Sequence, residues 1–204
     1  WGRDTLDKSS ENYCIILAAG FSRRLGRDKA LIEVGGRPLV SAMAQMMMSH
    51  GLGVCVVSSM QWDEVEVPLF GAINCVNSDP DNGRTGSIKC GLSALGWPKR
   101  AIVAPVDRPG FSSKTLRRLI DSEVCTCPSN DGRGGHPILL DEASIEAVRH
   151  ALPDMPLRSL CTPLRFEVED PHMNLNIDTE ADVQMLKSKW PDIESSWEVD
   201  AHPE

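Results

Sequence analysis

The sequence predicts a doubly wound α/β fold: a single-domain, Rossmann-like layered structure with a mostly parallel sheet flanked by helices. Three observations predict it. Short β-rich runs at 13–17, 53–58, 74–76 and 100–104 alternate with amphipathic helical stretches. Those runs, rich in Val, Ile and Cys, are apolar almost throughout instead of alternating, as strands covered on both faces are. The chain has 204 residues, 41% hydrophobic and 25% charged, enough to bury a core without staples.

The elements follow in order. After the first strand, Gly35-Gly36 marks a tight turn between 31–34 and 37–40. Helices are expected at 39–50, closed by Gly51, at 86–95, closed by Gly96, and at 113–122. In the second half, 125–128 and 136–140 flank a glycine-rich loop at 129–135. Helical stretches follow at 144–152 and 156–161, short strands at 165–168 and 175–177, and a last helix at 180–189, capped by Thr179. The expected organisation is an N-terminal extension without fixed structure (1–11), one domain (12–189) and an acidic, solvated tail (190–204).

Charge narrows the function. The formal net charge is -8, and the tail holds five acids (Asp192, Glu194, Glu198, Asp200, Glu204) with no Lys or Arg, leaving residues 1–189 at -3. A slightly acidic body argues against a nucleic-acid partner, which calls for a basic face. No apolar run reaches the ~18 residues of a membrane span, and no export signal opens the chain, so a cytoplasmic protein is expected. Of seven cysteines, Cys14, Cys55 and Cys75 read as small core residues. Cys125-Thr126-Cys127 is the one hint of pairing, and its spacing fits no common zinc or redox motif.

Against that background, Arg23, Arg24, Arg27 and Lys29 crowd into seven positions directly behind the first strand. The carboxyl end of a strand is where open α/β sheets bind ligands. Ala18, Ala19 and Gly20 let backbone N–H groups approach a ligand closely, and Ser22 adds a hydroxyl. The pattern is neither a Walker A loop nor a dinucleotide fingerprint. It reads as a local anion site. Asp107, a carboxylate directly after the apolar run 101–104, is poorly explained by packing. Gly86 and Ser87 are expected to open a helix whose free N–H groups face an anion.

The stretch from Leu17 to Lys29, LAAGFSRRLGRDK, resembles the LAAGxSxRxGxxK signature of the MobA-like NTP transferase family, which includes the molybdenum cofactor cytidylyl- and guanylyltransferases. Three further resemblances come in the family's order: Gly86-Ser87 with Gly91-Leu92, Asp107-Arg108-Pro109, and Gly135-His136-Pro137. Asn176-Ile177-Asp178-Thr179 resembles the closing element, without its usual proline. The resemblance spans about 13–189 and implies a nucleotide-diphospho-sugar transferase-like fold.

The resemblance also implies roles. Leu17, Ala18, Ala19, Gly20, Ser22, Arg24, Lys29, Gly86 and Ser87 would hold a nucleoside triphosphate. Arg24, Lys29 and Asp107 would be catalytic, and Asp107 and Asp178 would hold Mg²⁺. Arg108, His136 and Arg158 would face a phosphorylated acceptor, by resemblance molybdopterin or molybdenum cofactor, with a molybdoenzyme as client. The expected reaction moves a nucleoside monophosphate to that acceptor and releases pyrophosphate. Ala19, where GTP-using relatives often carry glycine, leans the expectation to CTP. Two alternatives stay open: a sugar phosphate or other phosphorylated metabolite as acceptor, and a non-catalytic module that binds and delivers a nucleotide or cofactor.

Overall fold

The computed structural model describes residues 12–20, 24–59 and 67–198. In chain order the first half runs β1 (Tyr13–Leu17), β2 (Glu33–Val34), β3 (Arg37–Pro38), α1 (Leu39–Ser49), β4 (Gly53–Ser58), β5 (Ile73–Val76), α2 (Gly83–Ala94) and β6 (Ala101–Pro105). The second half adds α3 (Ser113–Ile120), β7 (Thr126–Asn130), β8 (Arg133–Gly134), β9 (Ile138–Leu140), α4 (Glu142–His150), β10 (Leu164–Glu167) and α5 (Glu180–Ser196).

The main sheet has the order β10-β7-β9-β6-β1-β4-β5, with β8 paired to β7. The pairs β6-β1, β1-β4, β4-β5 and β10-β7 are parallel, whereas β9 runs antiparallel to both β6 and β7. The sheet is therefore mixed and mostly parallel, flanked by helices, as expected. Side chains alternate across it. Cys14 and Ile16 of β1 enter a core with α1, α3 and α5, while Ile15 enters a second core with α2 and α4. Gly91 lets α2 lie directly on β1, because a Cβ there would stand 2.6 Å from Ile15 Cγ2 and 3.0 Å from Val57 Cγ2. Gly35 and Gly36 both take positive φ, 54° and 77°, the pairing that a two-residue hairpin between β2 and β3 requires.

Four expectations change. Residues 175–177 form no strand; Ile177 instead donates its N–H to the Asp107 carbonyl at 3.1 Å. The α2 helix starts at Gly83, three residues before the expected Gly86. The boundary expected at 189/190 falls inside α5, which runs through Pro191 to Ser196. Its acids lie outward, while Trp190, Ile193 and Trp197 are buried, and Trp197 Nε1 donates to the Phe111 carbonyl at 2.7 Å. Amphipathic packing thus outweighs the local acidity that suggested a solvated tail. Finally, Cys75, taken for a core thiol, is half-buried and joined by a disulfide to Cys90, tying β5 to α2.

Candidate active site

The site is built where β1 and β6 end side by side. The Val106 N–H donates to the Leu17 carbonyl (3.0 Å), which locks the ends of β6 and β1 in register, and the Ala18 N–H donates to the Val57 carbonyl of β4 on the other side (2.9 Å). The Ala18 N–H is therefore spent inside the sheet and does not serve a ligand, in contrast to the expectation for that group. Beyond the turn, Asp28 caps a single 3₁₀ turn, Lys29–Leu31, its Oδ1 accepting from the Ala30 N–H at 2.9 Å. This cap aims Lys29 back across the strand ends.

Lys29 is 13% exposed and faces two carboxylates at once. Its Nζ donates to Asp178 Oδ1 at 2.7 Å and to Asp107 Oδ2 at 3.4 Å. Arg24, at the solvent rim, places Nη2 3.4 Å from Asp178 Oδ2. The two aspartates, 71 positions apart in the sequence, meet because the Ile177 N–H is anchored on the Asp107 carbonyl. Asp178 is held from the other side by α5. Its N–H donates to Asp182 Oδ2 at 3.0 Å, and the same Asp182 forms a capping box with Thr179. Asn176 Nδ2 donates to Asp178 Oδ2 at 2.8 Å. The Lys29 hydrogen bond, followed by the charges of Lys29 and Arg24 and the Asn176 donor, holds the Asp178 carboxyl below its ordinary range, against a smaller opposing effect of burial.

A cavity of 220 Å³ opens beside this cluster, lined by Ala19, Gly20, Lys29 and Asp107 and, from the facing helix, by Arg84 and Ser87. Leu17 and Ala18 also line it. Gly86 does not. Its N–H is turned to the Pro153 carbonyl at 2.9 Å, so that donor is not free for an anion. Ser87 Oγ accepts from Asn77 Nδ2 at 3.0 Å, deep in the wall. Sequence reasoning passed over Gly83 and Arg84, which take the lining role expected of Gly86. The available signal was a cation beside a glycine just ahead of the helical run. Gly83 has φ of 80°, and a Cβ there would meet the Asp154 Cα and Pro153 carbonyl at 3.3 Å. Ser22 lies outside the described residues.

A second cavity, 630 Å³, adjoins the first and is lined by Arg84, His136, Arg158 and Arg165, with Cys127 and Cys161 among its walls. His136 and Arg158 were expected on this side; Arg165 was not. Burial, then the charges of Arg84 and Arg108, hold the His136 imidazole down at about 4. Arg108 thus lies close enough to act on His136 but does not line the cavity itself. Among the described residues no cluster of three or more His, Cys, Asp or Glu side chains is arranged to hold a metal, and no helix is long and apolar enough to cross a membrane.

A small cavity lined by Lys29, Arg84 and Asp107 thus lies at the carboxyl edge of the sheet, against Leu17, Ala18, Ala19 and Gly20. The family model described as the MobA-like NTP transferase domain matches residues 14–168. The chain belongs to that family. Among curated relatives, a molybdenum cofactor guanylyltransferase of Xanthomonas euvesicatoria is 32% identical over 113 residues, covering 55% of this chain and 56% of the relative. The chain thus spans little more than half the length of that relative. A nicotine blue oxidoreductase of Paenarthrobacter nicotinovorans is 32% identical over 148 residues, covering 66% and 72%. The relatives of this chain thus carry names from two chemical classes.

The solved structures agree on the fold. The Rv0371c homolog from Mycobacterium sp. strain JC1 superposes with a TM-score of 0.75 at 22% identity, covering 90% of this chain and 98% of that one. Rv0371c of Mycobacterium tuberculosis, solved in complex with manganese, gives 0.69 at 20% identity, covering 87% and 98%.

Proposed function

We propose that this MobA-like protein transfers a nucleoside monophosphate from a nucleoside triphosphate to a phosphorylated acceptor, molybdopterin being the acceptor the relatives favour. The observation that carries the reading is the convergence of Asp107 and Asp178 on Lys29 at the mouth of the smaller cavity, with an arginine-lined cavity next to it. A binding and delivery module has no need of two carboxylates at one point. A redox site, as the oxidoreductase name of the Paenarthrobacter relative would call for, has no need of them either.

The residues fit a divalent cation. Asp107 and Asp178 present hard oxygen donors toward one point, and Mg²⁺ or Mn²⁺ typically uses one or two protein carboxylates, filling its shell with water and phosphate oxygens. The manganese complex of the Mycobacterium tuberculosis relative supports a metal of this type. When bound, the metal supplies charge neutralisation along the triphosphate and polarises the α-phosphoryl group. The chain's own residues do the rest. Lys29 and Arg24 offset triphosphate charge, and the Ala19–Gly20 turn admits phosphate oxygens close to the backbone. An acceptor phosphate oxygen then attacks the α-phosphorus in line. The new O–P bond forms as the bond to the β-phosphate oxygen breaks, and pyrophosphate leaves with that electron pair.

The donor we propose is GTP rather than the CTP suggested by Ala19. That alanine is 3% exposed with its methyl group in the core formed with α2, so its side chain offers a base almost no surface. The guanylyltransferase names of the relatives then weigh more. The test is pyrophosphate release with GTP, CTP, ATP and UTP, each with molybdopterin or a hexose 1-phosphate, in Mg²⁺ and in Mn²⁺. GTP with molybdopterin should be the best pair. Pyrophosphate from no combination would overturn the transferase reading, and a tenfold preference for CTP, or for the sugar phosphate, would overturn the proposed donor or acceptor.

A further inference from the structure

We infer that Arg84 couples the two cavities, holding the donor's phosphates and the acceptor's phosphate with one guanidinium. The inference rests on the transferase reading above and adds a residue to it. Among the described residues that line either cavity, Arg84 is the one that lines both. It is the second residue of α2, exposed, and carried at the amino end of that helix, where the backbone dipole adds positive potential.

The side chain is aimed by a neutral histidine. Arg84 Nη1 lies 3.4 Å from His136 Nε2. Arginine has donors and no acceptor, so Nε2 is the lone-pair nitrogen and the ring proton sits on Nδ1, which is buried with no hydrogen-bond partner among the described residues. With His136 held at about 4, the imidazole stays uncharged wherever a triphosphate is fully ionised, and the contact with the cation persists. A charged imidazolium in its place would push Arg84 away.

The chemistry needs a cation at this point. In an in-line transfer the acceptor phosphate and the α-phosphate, both anionic, must come into contact, and Arg158 and Arg165 line only the acceptor side. A guanidinium presents five donors in a planar fork and can serve two phosphates at once; an ammonium is a single compact charge. Arg84 is therefore a residue that works in the ternary complex more than in either binary one.

The experiment compares wild type with Arg84→Ala, Arg84→Lys and Arg165→Ala. Calorimetry first measures the affinity for a non-hydrolysable GTP analogue with Mg²⁺, then for inorganic phosphate added to the analogue-saturated protein. The expected result for Arg84→Ala is a measurable loss of analogue affinity together with at least tenfold weaker phosphate binding. Arg84→Lys should recover only part of the loss, and Arg165→Ala should weaken phosphate binding alone. In turnover, kcat/KM for the acceptor should fall at least thirtyfold in Arg84→Ala. Phosphate binding to the analogue-loaded protein that is absent in wild type, or unchanged in Arg84→Ala, would overturn the inference even if turnover proceeds. Arg84-dependent phosphate binding in a protein that releases no pyrophosphate would instead sink the transferase reading and leave the coupling of the cavities standing. A melting temperature held within about 2 °C in Arg84→Ala, as expected for an exposed residue, separates either outcome from misfolding.

Discussion

Lys29 sits where a metal would have to compete with it, and this gives a test with an unusual sign. Its ammonium is 2.7 Å from one carboxylate oxygen of Asp178 and 3.4 Å from one of Asp107. Unit charges ~4 Å apart interact by ~4 kcal/mol at an effective dielectric of about 20. Asp107 and Asp178 are each 24% exposed, so solvent takes part of that. We expect Lys29→Met, which keeps the chain's bulk and removes its charge, to raise nucleotide-free affinity for Mn²⁺ by about 10- to 100-fold. That range corresponds to about 1.4–2.8 kcal/mol. The same substitution should abolish most turnover, because the triphosphate loses its buried cation. Titration of free Mn²⁺ followed by electron paramagnetic resonance reads the first effect, and pyrophosphate release the second. Asp178→Asn, in contrast, should weaken Mn²⁺ binding and lower turnover together.

A linked effect appears at acid pH. Because Asp178 is held below its ordinary range, its contribution to stability is present above the ordinary carboxylate pKa and is lost as pH falls through the depressed one. That acid-side loss should shrink in Lys29→Met. Mn²⁺ affinity that is unchanged or weaker in Lys29→Met would refute the reasoning, since it would mean the two carboxylates do not share one cation position.

Two other predictions bear on packing and titration. Gly91→Ala places a methyl against Ile15 and Val57 at 2.6 and 3.0 Å. Overpacking of about 1–3 kcal/mol should outweigh the ~1 kcal/mol gained in helix propensity, lowering Tm by a few degrees in a calorimetric scan; a rise in Tm would show that α2 does not lie so close to β1. His136, ordinarily near 6.5 and held at about 4, makes the unfolded state bind the extra proton between those values, so stability should fall as pH drops through that window. At 1.36 kcal/mol per pKa unit the contribution is about 3 kcal/mol, and urea unfolding from pH 7 to pH 4.5 should show it in wild type and much less of it in His136→Gln. Equal pH slopes in the two proteins would contradict a half-buried, neutral imidazole.

The sequence by itself determined the elements whose causes are local. Strands buried on both faces must be apolar at every position, so β1, β4 and β6 stand within a residue of where the runs of Val, Ile and Cys place them. Gly35-Gly36 names its hairpin because only residues tolerant of positive φ fit there, and Thr179 names the start of α5 because its hydroxyl caps the Asp182 N–H. The run from Leu17 to Lys29 and the lone Asp107 were legible as candidate site residues because charge is costly directly after a buried strand.

Tertiary structure decided what depends on partners far along the chain. Lys29 and Asp178 are 149 positions apart, and no local pattern says that the lysine will lie between two carboxylates instead of standing free for a phosphate. The Ala18 and Gly86 N–H groups, suited to an anion by their place in the sequence, are taken by the Val57 and Pro153 carbonyls. The acids after residue 189 suggested a solvated tail, yet Trp190, Ile193 and Trp197 keep a helical spacing whose value appears only against Phe111 and Ser113. Arg84 was unremarkable in sequence and became a shared wall once α2 was docked beside both cavities. Local propensity is set by neighbours a turn away, whereas a site is set by which side chains the sheet order brings together.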